Sequence, residues 1–322
     1  MEVFVTSPWV PVEWIKAHGL EPRGAWLGEI RQSVAVREGV CAFAQQMADL
    51  AKAHPGAAVV FTTACDQMRR AADTVTTPGD SRVFLFNLPA TWQSPAARRL
   101  YHAELARLGR FLETLGGQAP TDGRLAAVMH DFESRRIALR EFIHQSSARE
   151  AAAAMASFYD DRACPTAKPA RDESRQPILL ALVGGPLLAS QRPLFDAIES
   201  AGGCVMLNAT EPCERCLLPP LPNLALNRSQ LAVLADHYFD HALDVFHRPN
   251  SRLYAWLGPR LADRCVRGIV LWVHVGCDLW RAEAASFREA FGLPVLVLDA
   301  HEVHAGGLRD ANRLAAFIES LQ

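Results

Sequence analysis

The sequence predicts an α/β protein made of two doubly wound parallel-sheet halves with a helical insert between them. Three observations carry this. Apolar runs of strand length, such as Ala57 to Thr62 and Gly268 to Val275, are continuous rather than alternating, the pattern of strands covered on both faces. Segments of helical spacing lie between these runs, as crossovers between parallel strands require. Three such segments then follow one another from Pro95 to Phe158, before strand character returns.

Taken in order, Val3 to Thr6 is a short strand ending at Ser7-Pro8, and Pro11 opens a helix that Gly19 closes. Cys41 to His54 has helical spacing and stops at Pro55-Gly56, and Ala57 to Thr62 is a buried strand. Cys65 starts the next helix, and Val83 to Asn87 is a strand ended by Pro89. Pro95 to Leu115 is helical, with Leu100, Leu105, Leu108 and Leu112 expected on one face and Gly116-Gly117 as the stop. Leu125 to His144 and Arg149 to Phe158 complete the helical insert. In the second half, strands are expected at Ile178 to Val183, Cys204 to Asn208, Gly268 to Val275 and Val295 to Asp299. Helices are expected at Pro193 to Ala201, Arg228 to Phe246, Leu253 to Leu261, Arg281 to Phe291 and Leu308 to Leu321, with an irregular Pro-rich loop from Pro212 to Pro222.

The aperiodic stretch from Asp160 to Gln176 is the best linker. It divides the chain into an N-terminal α/β domain with the helical segment, residues 1–160, and a C-terminal α/β domain, residues 177–322. A chain of 322 residues, 50% hydrophobic, suits two domains. Its net charge of −2 and the absence of a Lys/Arg run argue against a nucleic-acid partner. Apolar stretches of about ten residues fall short of the roughly 20 that span a bilayer. No cationic start with an apolar h-region precedes the first strand, so a cytoplasmic, reducing location is expected. There, eight cysteines act as core filler, reactive groups or metal ligands rather than as disulfides.

Cys41, Cys65 and Cys277 share one property: each falls at the start of a helix, and the last two follow a strand. Doubly wound sheets build their sites at that rim. A helix N-terminus offers free N–H groups and a positive dipole end, and both stabilise a thiolate or an anionic cluster. Packing explains any single cysteine as well as ligation does, since free Cys is among the most buried residue types. Three placed alike suit an iron–sulfur centre better, although their spacing is no compact ferredoxin run.

Several segments, in order, resemble the 2-hydroxyacyl-CoA dehydratase family, which includes the 2-hydroxyglutaryl-CoA dehydratase D-component, benzoyl-CoA reductase subunits and double-cubane cluster proteins. They are VTSPWVPVEWIKAHGLEP, GVCAF, VVFTTACDQMRR, YHAELARLGRFLETLGG, PILLALVGGPLL with IESAGGCV, and GIVLWVHVGCDLW with GLPVLVLDAHEV. The resemblance implies two Rossmann-like domains with Cys41, Cys65 and Cys277 each binding one iron of a [4Fe-4S] cluster between them. It implies an acyl-CoA substrate, a related second subunit or a homodimer, and an ATP-dependent activator protein that delivers one electron. In the dehydratases the cluster's open iron binds the thioester carbonyl, and a ketyl radical expels the 2-hydroxyl. Glu13 stands where the family often has an acidic residue, to hold a backbone or accept a proton.

Cys213 and Cys216 form a CERC pair. Such a pair holds zinc, cycles as a dithiol, ligates a cluster or has no role. Cys213 is a further candidate ligand, either to a double-cubane cluster or as the fourth ligand that closes the first. His274, three residues before Cys277, is a candidate near the site or a satisfied buried histidine. Arg69 and Arg70 either neutralise a cluster or CoA phosphate or form an exposed helix face. Gly184-Gly185-Pro186 suits close backbone approach to a ligand but lacks a nucleotide-binding pattern. Cys164, Cys204 and Cys265 read as incidental, and Phe246, Tyr254 and Trp256 as core or interface. The leading expectation is a dehydratase-type lyase subunit. The alternatives are a reductase or electron-transfer subunit and a non-catalytic cluster-binding protein. The acyl group is not named by any motif.

Overall fold

The structure is a computed structural model and describes residues 1–26, 40–77, 82–162, 176–221, 228–300 and 308–322. The first half runs β1 (Glu2–Val5), α1 (Val12–Ala17), β2 (Glu21–Gly24), α2 (Ala42–Ala53), β3 (Ala58–Thr62), α3 (Asp66–Val75) and β4 (Val83–Phe86). The insert is α4 (Pro95–Thr114), α5 (Asp122–Gln145) and α6 (Ala148–Tyr159). The second half runs β5 (Ile178–Pro186), α7 (Pro193–Ser200), β6 (Gly203–Glu211), α8 (Gln230–His241), α9 (Ser251–Asp263), β7 (Gly268–His274), α10 (Asp278–Phe291), β8 (Val295–Ala300) and α11 (Leu308–Glu319). Both sheets have four strands, in the orders β2-β1-β3-β4 and β6-β5-β7-β8, and all pairings are parallel. The two halves therefore share one topology, though no sequence repeat marks it.

The continuous apolar strands behave as expected. Leu180, Leu182, Val270 and Trp272 face a core that also contains Val3, Val60 and Phe86 of the first half. The alternate residues Ala181, Val183, Ile269, Leu271 and Val273 face a second core with Leu253, Leu257 and Phe287 of α9 and α10. Period-two geometry sends neighbours to opposite faces, so a strand buried on both needs apolar side chains throughout.

Polar contacts close the seam between insert and second half. Arg98 on α4 bonds Asp236 (2.7 Å) and Asp240 (2.6 Å) on α8, and His102 lies 2.9 Å from Asp236. Deeper, Arg136 of α5 donates to Glu13 of α1, and the Tyr238 hydroxyl of α8 donates to the same carboxylate at 2.7 Å. Arg136 and Glu13 are both fully buried. Paired burial of this kind keeps each charge compensated where water is absent.

The structure corrects the sequence reading at four places. Residues Glu21–Gly24 form strand β2, which Pro22 and Arg23 obscured; an edge position tolerates proline. On α4, Leu100 is 41% exposed, and Tyr101 takes the buried row with Leu105, Leu108 and Leu112, a spacing of four, three and four. The helix expected to reach Phe246 ends at His241. Asp244 then caps the following loop, accepting the N–H of Phe246 at 3.4 Å, a local bond that competes with helix. Finally, Gly184 (φ +146°) makes its close approach to the strand beside it: a Cβ there would lie 2.0 Å from the Trp272 carbonyl oxygen. Most of the expected linker, including Cys164, lies outside the described residues. Among the described residues no helix is long and apolar enough to cross a membrane.

Candidate functional site

With order 2-1-3-4, the strand order of each sheet reverses between its first and third strands, and the crevice at such a switch point is where open α/β sheets bind ligands. Here both switch points open onto one cavity of about 650 Å³. Thr6 and Ser7 follow β1, Thr62 to Cys65 close β3, Pro186 ends β5, and His274, Gly276 and Cys277 close β7; all line it. Cys41 joins them from the start of α2. Three cysteines far apart in sequence thus meet around one space, whose volume falls in the range of small-molecule sites.

Each of the three occupies the N-cap of its helix: Cys41 of α2, Cys65 of α3 and Cys277 of α10. Oxygen side chains are preferred there, and the insert helices α4, α5 and α6 use Ser94, Thr121 and Ser147. Sulfur in that position leaves the N–H groups of the first turn turned toward a thiol. Phe43 and Ala44 act on Cys41, Gln67 and Met68 on Cys65, and Trp280 on Cys277, each favouring the thiolate. Burial is the larger effect and pushes all three thiols up, Cys277 to about 12. The thiols also feel one another. Cys41 raises Cys65, and both raise Cys277, as like charges brought together do. The Gln67 side chain accepts the Cys41 N–H at 3.2 Å and ties the start of α2 to the start of α3.

Among the described residues, no three His, Cys, Asp or Glu side chains are placed to hold one metal ion. Thiolates on one tetrahedral ion would sit roughly 4 Å apart. A cluster that takes one cysteine per iron spaces its ligands more widely, and an all-sulfur donor set is the set such clusters select.

His274 lines the same cavity. Its Nε2 lies 2.7 Å from the Pro186 carbonyl, which can only accept, so Nε2 carries the proton and Nδ1 is the acceptor. Nδ1 is buried with no hydrogen-bond partner among the described residues, and burial pushes the imidazole pKa down. Glu13 is not among the lining residues; it sits in the Arg136–Tyr238 network of the helical layer. Cys213 and Cys216 are buried on a single turn of 3-10 helix, Glu214–Cys216, and also do not line the cavity. Burial pushes both thiols up, Cys216 to about 12 and Cys213 well above its ordinary value. Arg69 lines the rim, whereas Arg70 is exposed and faces Asp73. Cys204 is half-buried on β6 and Cys265 is exposed.

Two lining residues had no place in the sequence reading: Glu211, the last residue of β6, and Asp244, in the loop after α8. Both meet the buried Arg215, Asp244 Oδ2 at 2.9 Å and Glu211 Oε2 at 4.0 Å. Burial first and Asp244 second push the Glu211 carboxyl well above the usual range, against the pull of Arg215 and the Trp26 indole. A charged residue closing an apolar strand was the available signal for Glu211; Asp244 gave none, because helix was expected there.

Residues 9–321, nearly the whole chain, match the family described as 2-hydroxyglutaryl-CoA dehydratase, D-component. No curated protein matches. Among solved structures, one of an FpvC mutant from Pseudomonas aeruginosa is similar at 12% identity, with 100% of this chain and 99% of that chain covered and a TM-score of 0.25.

Proposed function

This chain belongs to the 2-hydroxyglutaryl-CoA dehydratase D-component family, and from that premise we propose that it is the iron–sulfur subunit of a 2-hydroxyacyl-CoA dehydratase-type lyase, with Cys41, Cys65 and Cys277 holding a [4Fe-4S] cluster. The observation that carries the reading is the meeting of these three N-cap thiols around one cavity at the two facing switch points. When bound, such a cluster supplies low-potential single electrons and an iron free to take a substrate oxygen. The chain's part is to hold and shield it. The N–H groups of three helix starts face the sulfurs, and Phe43, Leu88, Phe246 and Trp280 form apolar parts of the wall. Arg69 and Arg248 stand at the same cavity, where the phosphates of an acyl-CoA would meet positive charge. A related second subunit, or a second copy, and an ATP-dependent activator complete the proposed system.

The test is electron paramagnetic resonance on protein purified without oxygen and reduced. A cluster signal that changes when a 2-hydroxyacyl-CoA is added supports an open iron and the lyase reading. A cluster signal indifferent to acyl-CoA supports electron transfer instead, and no cluster signal at all defeats both.

A further inference from the structure

Glu211 and Asp244 face the cavity from the same side and compete for one cation. Arg215 serves them unequally. Its Nε donates to the Ala209 carbonyl (3.0 Å), Nη1 to the Leu243 carbonyl and to Asp244 (2.9 Å), and Nη2 to the Gly184 carbonyl (3.2 Å). These bonds fix the guanidinium, fully buried, with its better contact on Asp244. Asp244 also takes the Phe246 N–H. Glu211, 7% exposed, has the 4.0 Å approach instead. The other groups that face Glu211 add no cation: the uncharged Trp26 indole donates toward its carboxyl, Cys216 stands on the same turn as Arg215, Tyr159 on α6, and Pro8 and Trp9 on the segment after β1. Arg248 at the cavity is 47% exposed and is held 3.3 Å from Glu283. Two carboxylates against one cation leave one negative charge in a wall with little water.

We propose that Glu211 and Asp244 hold one proton between them, carried on Glu211, and that Glu211 is the acid that protonates the oxygen leaving the substrate. This rests on the lyase reading above. In the step, the Glu211 O–H bond breaks and its electron pair stays on the carboxylate. The proton joins the hydroxyl as the C2–O bond breaks, so the group departs as water. The C3–H bond then breaks, its electrons complete the C2=C3 double bond, and its proton restores Glu211. A 2-hydroxyacyl thioester becomes an enoyl thioester and water, with no net change in protons or electrons. The direction in which burial and Asp244 push the Glu211 carboxyl agrees with the assignment.

Infrared spectroscopy across a pH series reads the proton directly. The wild-type protein, purified with its iron, should show a protonated-carboxyl C=O band at pH 7 that Glu211→Gln removes. Asp244→Asn removes the competing charge and frees Arg215, so the band should titrate away at lower pH than in wild type. Absence of the band at pH 7, survival of it in Glu211→Gln, or an unmoved midpoint in Asp244→Asn overturns the shared proton. Given bound iron and native circular dichroism, Glu211→Gln should lower dehydration by about 100-fold or more, with partial rescue by Glu211→Asp. Wild-type turnover in the Gln variant overturns the acid assignment. Iron content separates the two ideas: an iron-free protein that keeps the band defeats the cluster reading, and an iron-loaded protein without the band defeats the proton.

Discussion

The chain contains two groups of cysteines that differ in surroundings more than in burial. Cys41, Cys65 and Cys277 cap long helices, line an open cavity and sense one another's charge. Cys213 and Cys216 sit three positions apart on one short turn, closed into the core beneath α6 and behind Arg215. The CERC spacing is the more familiar ligand pattern, yet the dispersed trio is the group that meets around one cavity. Topology, rather than proximity in sequence, gathers these side chains: a parallel sheet delivers every β→α junction to the same edge.

The sharpest way to break the contrast is to remove one sulfur from each group. Cys65→Ser should reduce bound iron from about four atoms per chain to below about one. Cys213→Ala should keep the iron and lose about 1–2 kcal/mol of stability, as a small truncation in a packed core does. Equal loss of iron in both variants, measured on protein purified without oxygen, would erase the distinction.

A second variant separates damage to the fold from loss of a ligand. Glu13→Gln leaves the Arg136 guanidinium buried beside a neutral amide, which should cost about 3–5 kcal/mol in denaturant unfolding. The cavity thiols are not touched, so protein that remains folded should still bind iron. An unfolding midpoint equal to wild type would contradict the buried ion pair.

Acid gives a smaller effect common to both regions. Burial pushes His237 and His247 down to about 4 from 6.5, so both are neutral in the folded protein at pH 7. Their contribution to stability is present above pH 6.5 and is lost as pH falls toward 4, because the unfolded chain takes up the protons first. Chemical denaturation of iron-free protein should show this decline, at most about 3 kcal/mol for each histidine. A flat profile over that interval would place both imidazoles in water.

Much of the fold was legible because strands buried on both faces need unbroken apolar runs. Gly268 to His274 and Ala58 to Thr62 carried that signal, whereas the edge strand Glu21–Gly24 did not need it and was missed. The trio was legible as three helix starts, since capping is local. Its convergence, and the carboxylate pair beside it, were not. Glu211 and Asp244 acquire their character from a fixed guanidinium shared across elements, and no local pattern encodes such a contact. Glu13 was visible in sequence, but not its partners: it accepts from Arg136 and Tyr238 and so ties α1 to α5 and α8.

The central claim is that the three N-cap sulfurs hold one cubane. Iron and acid-labile sulfide counted per chain, on protein purified without oxygen, test it most directly. About four of each is the predicted result. Protein without iron, in which Cys41, Cys65 and Cys277 all titrate as free thiols, would contradict it.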